Sequence, residues 1–184
     1  DSYFHYLTGF GEPEAVLLLV AGSSDDNVPA QSILFCREKD ADKEVWDGFR
    51  WGPDAARERF GFDACHPTAG FDARFAELLC DQPALWFSLG FDAAWDARIG
   101  QALNAVRARA REGRQAPALL HDVRAALDEM RLVKDAAEIG IMRRAATIAA
   151  GAHRRAMRAT RPGMFEYEIE AELMHEFRRC GAQA

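Results

Sequence analysis

At 184 residues, with 49% of them apolar and 28% charged, the chain has the balance of an ordinary globular protein and room for one domain and part of another. A net charge of -6 argues against a general nucleic-acid binder, which carries a basic excess. The longest apolar run, residues 15–21, is far short of the ~20 residues a membrane-spanning helix needs.

Taken in chain order, residues 1–10 mix aromatic and polar side chains (Tyr3, Phe4, His5, Tyr6) and predict a strand. A Gly-Phe-Gly-Glu-Pro turn over 9–13 precedes a strand at 14–21, unbroken in its apolar content and therefore predicted to be buried on both faces. Gly9 and Gly11 do not make a dinucleotide fingerprint. Glu14 stands where the third glycine belongs, and the segment feeds a strand rather than a helix N-terminus. A polar loop over 22–29 then joins the strand to a second one at 31–36, as in a hairpin.

The charge run at 37–44 is expected to be a solvated connection, and 45–52 (VWDGFRWG) a loop. Within that loop, Trp46 and Arg50 offer stacking surface and a guanidinium on mobile backbone, unless the tryptophans plug the edge of the core. Pro53 starts a short helix to residue 60. A strand at 62–66, a helix at 71–80, a strand at 84–89 and a long helix at 92–111 follow, and a short helix is expected at 121–130. Strands alternating with helices predict an α/β domain with a mixed sheet: neighbouring strands first, later ones returning by crossovers.

Residues 130–163 form the hinge of the sequence. Residues 1–134 hold 22 acids and 15 bases, whereas 135–184 hold 7 and 8, a shift in charge that supports a boundary here. Asp135 is placed to cap a long helix and Pro162-Gly163 to close it. Ile139, Met142, Ala146, Ala149, His153 and Met157 recur three or four apart on one face, with Arg143, Arg144, Arg154, Arg155 and Arg158 mostly on the other. A second helix follows, with Phe165, Ile169, Leu173 and Phe177 stepping by four, acids at its start and Arg178 and Arg179 at its end. Two such helices without a third layer leave apolar stripes uncovered, so the chain reads as a fragment.

Chemistry is sparse. Cys36, Cys65, Cys80 and Cys180 form no CxxC pair and fit free thiols of a reducing, cytoplasmic compartment. His175-Glu176 begins like a zincin motif, but Arg179 stands where the second histidine belongs. His153 reads as a packed or capped helical histidine, His5, His66 and His121 share no spacing, and no nucleophile elbow is present. The residues alone carry no complete active site.

Five segments resemble the Xaa-Pro aminopeptidase (aminopeptidase P) family, in that family's order: 6–15 (YLTGFGEPEA), 32–35 (SILF), 45–53 (VWDGFRWGP), 130–139 (MRLVKDAAEI) and 161–168 (RPGMFEYE). The resemblance implies a mixed-sheet N-terminal domain of creatinase and aminopeptidase P type over 1–129. The first two helices of a truncated pita-bread α+β catalytic domain would then occupy 130–184. It further implies a pair of divalent metals, usually Mn2+, that activate water to cleave the bond before proline in Xaa-Pro peptides, and a homo-oligomer. The five metal ligands of the family fall beyond Ala184, so none is assigned here. In oligomeric members the N-terminal domain narrows the approach to a neighbour's active site, which makes Trp46 and Arg50 the candidate substrate-entrance residues. The alternative is a pita-bread relative that has lost its ligands and serves as a protein-binding or chaperone module.

Overall fold

The computed structural model describes residues 2–22 and 28–182. Two compact units, Asp1–Leu127 and Asp128–Ala184, divide the chain.

The first unit is built on one strand. β1 (Val16–Val20) pairs antiparallel with β2 (Gln31–Cys36), as expected for a hairpin, and β2 pairs parallel with β3 (Ala64–Pro67). The polar loop expected between β1 and β2 falls largely on residues 23–27, which lie outside the described residues. Side chains alternate across a strand, so β2 supplies two cores. Ile33 and Phe35 enter one with Phe71, Phe75, Leu79, Ile99, Leu103 and Val106; Leu34 and Cys36 enter the other with Phe10, Ala56 and Phe62. β1 contributes to both in the same alternation, Val16, Leu18 and Val20 to the first and Leu17 to the second. As an edge strand, however, it is only partly covered, and Leu19 is 63% exposed, so the expectation of burial on both faces holds for β2 rather than β1.

Helices close both faces. α3 (Gly52–Phe60) covers the second core through Ala56 and Phe60. α4 (Phe71–Leu79) and α5 (Ala93–Ala108) cover the first with residues four and three apart, the spacing of a helical face. Asp92 caps α5 by accepting the Ala94 and Trp95 amides. A separate parallel pair, β4 (Ala84–Phe87) with β5 (Leu119–Asp122), completes a mixed set of strands linked by crossovers.

Three expectations for this unit are corrected. Residues 1–10 form not a strand but α1 (Ser2–Thr8), closed by Gly9 in the left-handed region at φ 63°. Its partly buried residues, Tyr3, Phe4, Leu7 and Thr8, lie on a helical period. The charge run at 37–44 is not simple connection: Asp40 caps α2 (Ala41–Asp47) by accepting the Lys43 amide at 3.1 Å, and this helix takes up the start of the expected 45–52 loop. The helix expected at 121–130 begins with β5 and becomes α6 (Val123–Leu132) only after Asp122.

In the second unit α7 (Ala136–Ala159) packs on α8 (Glu166–Arg179). Asp135 and Glu138 form a reciprocal capping box at the head of α7, 2.8 Å each way. The packed face is rotated from the one expected. Ala152 and Ala156 are buried, whereas Met142 and Met157 are exposed and His153 is exposed with Nδ1 2.8 Å from the Ala149 carbonyl. Arg155 turns inward to meet Glu172 at 2.6 Å and Glu176 at 3.5 Å. Small alanines let the helix backbones approach, and the long apolar side chains point elsewhere.

Gly52 sits at φ 71°, and a Cβ there would lie 3.2 Å from the Lys39 backbone nitrogen and Cβ. Gly52→Ala should therefore destabilise the protein by about 1–2 kcal/mol, read as a lowered urea midpoint with an unchanged slope.

Candidate functional site

The segment that carries the two candidate residues runs from Lys39 to Trp51. α2 ends at Gly48, whose amide bonds to the Glu44 carbonyl and whose φ of 82° turns the chain sharply. Around that turn the side chains divide. Trp46 is 86% exposed and Val45 and Phe49 are exposed beside it in sequence. Trp51 turns inward, meeting Phe49 and Phe60 edge-on with centroids 5.0 and 5.6 Å away. Of the two tryptophans in the motif, Trp51 plugs the edge of the core and Trp46 faces outward from the helix.

Arg50 does not project as a free cation. It is 7% exposed and its guanidinium pairs with the Asp47 carboxylate. Its backbone is held on both sides: the amide donates to Glu44 Oε1 at 2.8 Å, and the carbonyl accepts from Lys39 Nζ at 3.0 Å. Lys39 also contacts Glu44 at 2.8 Å and lies 4.1 Å above the Phe49 ring. The Lys39 hydrogen bond first, and the Arg50 amide second, keep the Glu44 carboxyl below the usual carboxylate range. The segment thus presents one indole on a short helix, ahead of a turn whose charged groups are engaged with one another.

The groups beneath it leave little mark in the sequence. Glu12 Oε1 accepts the Trp51 amide at 2.5 Å, and Oε2 faces Arg37 at 3.6 Å, with both side chains nearly buried. The only cue was an acid set between glycine and proline in the turn after α1.

The histidines do not converge. His121 stacks on Trp86 with centroids 4.3 Å apart and His66 meets Phe35, while Arg179 at the failed zincin position pairs with Glu176 at 2.5 Å. Among the described residues no three His, Cys, Asp or Glu side chains could hold a metal ion, so the donors present do not fit the metal pair that the resemblance implies. An open groove between α7 and α8, lined by Arg154, Arg155, Arg158 and Arg179 with Glu172 and Glu176, is largely an ion-pair network of the second unit.

Two family models match this chain in succession: the aminopeptidase P N-terminal domain over residues 1–86 and metallopeptidase family M24 over residues 140–184. Xaa-Pro aminopeptidase of Escherichia coli is 42% identical over 183 residues, covering 100% of this chain and 41% of the relative. That of Haemophilus influenzae is 35% identical over 180 residues, covering 97% and 38%. The chain belongs to the aminopeptidase P family. Solved structures agree: zinc-substituted E. coli aminopeptidase P in complex with product and proline aminopeptidase P II from Yersinia pestis each superpose with a TM-score of 0.91 at 42% identity. They cover 98% of this chain and 40% and 41% of theirs. This aminopeptidase P chain therefore spans about two fifths of the length of the relatives it matches.

The thiols give a direct check on this geometry. Burial pushes the Cys36 thiol up to about 12, with Cys65 and Glu12 adding to the effect and Arg37 opposing it. Cys36 should resist iodoacetamide at pH 8 in the folded protein and be alkylated on unfolding, as read by peptide mass mapping. Because the unfolded thiol ionises near its ordinary 9.0 and the folded one only near 12, stability should fall as pH rises across that window. The fall should be shallower in Cys36→Ala.

Proposed function

We propose that this chain is the N-terminal part of a metal-dependent Xaa-Pro aminopeptidase, which releases the first residue of peptides with proline in second position. The observation that carries this reading is 42% identity to one relative over the whole chain, with both family segments in their proper order. We place the boundary between an N-terminal domain and the start of the catalytic domain at 129/130, within α6. The metal-holding residues would belong to the part of the protein that follows residue 184, and Mn2+ is the ion proposed for it. The setting proposed is the cytoplasm, which the four free cysteines support; no helix among the described residues is long and apolar enough to cross a membrane.

For the chain's own residues the reading is one of access rather than chemistry. Trp46 would line the substrate entrance of a neighbouring subunit in a homo-oligomer, where an exposed indole offers a flat apolar face to a proline ring. Arg50 would serve that entrance from behind, since its guanidinium is turned inward to Asp47 and its backbone anchors the turn.

The test is release of the N-terminal residue from an Xaa-Pro peptide by the full-length protein, with Mn2+, with Zn2+ and after chelation, using residues 1–184 alone as control. Metal-dependent release by the full-length protein and none by the control is the expected result. No release by either, across several metals and peptides, would shift the assignment to a ligand-less binding module. Trp46→Ala should raise KM several-fold or change the oligomer; if it alters neither, the entrance role is wrong.

A further inference from the structure

We infer that Glu44 and Glu12 are positioning residues for Trp46: two carboxylates that hold the turn closing the helix from which this indole projects. The inference rests on the entrance reading of Trp46 for its functional meaning, and on geometry alone for the positioning itself.

With 86% of its surface exposed, Trp46 is not held in place by packing around its own ring. Its direction is set by the backbone of α2, and α2 has no buried residue. A seven-residue helix with no apolar anchor is not stable by itself, so something polar must fix it to the domain. The hydrogen bonds show what does. Two consecutive amides downstream of Gly48 are each taken by a carboxylate. The Arg50 amide donates to Glu44 within α2, at 2.8 Å, and the Trp51 amide donates to Glu12 in the turn after α1, at 2.5 Å. Lys39 bridges the first clasp by contacting both Glu44 and the Arg50 carbonyl, while Arg37 at the end of β2 faces the second. A polar chain thus runs from the core strand through Arg37, Glu12, Trp51, Arg50 and Glu44 to the helix that carries Trp46.

The two clasps differ in what their loss does. Glu12 is nearly buried opposite Arg37, and removing it leaves an uncompensated charge inside the protein. Glu44 is more exposed, and its replacement frees the turn while leaving both cores untouched. Glu44→Ala is therefore the informative variant. Glu44→Gln still offers an oxygen to the Arg50 amide and serves as the conservative rescue.

The experiment uses the full-length protein carrying 5-fluorotryptophan, with the Trp46 resonance identified by its loss in Trp46→Ala. Glu44→Ala should shift or broaden that 19F signal while leaving those of Trp86 and Trp95 in place, and Glu44→Gln should restore it; Glu12→Ala should perturb it in the same way. In kinetics on an Xaa-Pro peptide, Glu44→Ala should raise KM about fivefold with kcat little changed, and should add nothing in a Trp46→Ala background, since residues that act through one another are not additive. An unmoved Trp46 signal in Glu44→Ala overturns the positioning role. Equal KM effects in both backgrounds overturn it too, even if Trp46→Ala is itself impaired. A Trp46→Ala enzyme with unchanged KM and oligomeric state, alongside a moved 19F signal in Glu44→Ala, would instead refute the entrance reading and leave the positioning intact.

Discussion

The first unit depends on β2 being buried on both faces. Ile33, Leu34, Phe35 and Cys36 are each at most 1% exposed, and removing each of the three large apolar side chains, Ile33, Leu34 and Phe35, from water contributes about 1.5–3 kcal/mol. Alternation along one strand divides that contribution between two cores, so the helices on either face are coupled through the same four residues. α4 and α5 step their phenylalanines and aliphatics onto one side, and α3 with the turn after α1 closes the other. The segment bearing Trp46 hangs from this second, smaller core.

That segment is held by charge where the core is held by apolar contact. Arg50 within it and Arg37 just before it each keep a guanidinium nitrogen without a hydrogen-bond partner, and Glu12 keeps an oxygen in the same state. Desolvated groups of this kind cost free energy unless paired, which explains why each faces an opposite charge and why the backbone amides nearby are recruited as donors. An exposed indole on such a mount has a defined direction without packing of its own. The second unit uses a related device. Arg155 of α7 joins Glu172 and Glu176 of α8, and Arg179 braces Glu176 within α8, where alanines leave little apolar surface to bury.

Much of the fold was legible in the residues. The β1–β2 hairpin, β3, α4, β4 and α5 follow from apolar runs and helical steps, and the Asp135 cap from its place before a periodic stretch. The family was legible too, because the motifs around Gly9, Trp46 and Pro162 keep their order. In residues 1–10 four aromatics raise strand propensity, whereas the Thr8-Gly9 pair and the 3, 4, 7, 8 spacing belong to a helix. β5 was missed because a two-leucine strand beside a histidine has no periodicity to show. The packed face of α7 is not legible because the long apolar side chains outweigh alanine in any hydrophobic pattern, while close helix packing prefers alanine.

By itself, the sequence determined the class of fold, the order of the family's segments and the family, since these rest on local periodicity and short motifs. Only the tertiary structure decided that Trp46 and Trp51 face opposite ways, that Arg50 is turned inward, and that Glu12 reaches the Trp51 amide 39 positions away. A side chain's direction at a turn depends on which distant group captures the neighbouring backbone. No local pattern encodes that, because the capturing carboxylate is one among 29 acids until folding brings it within reach.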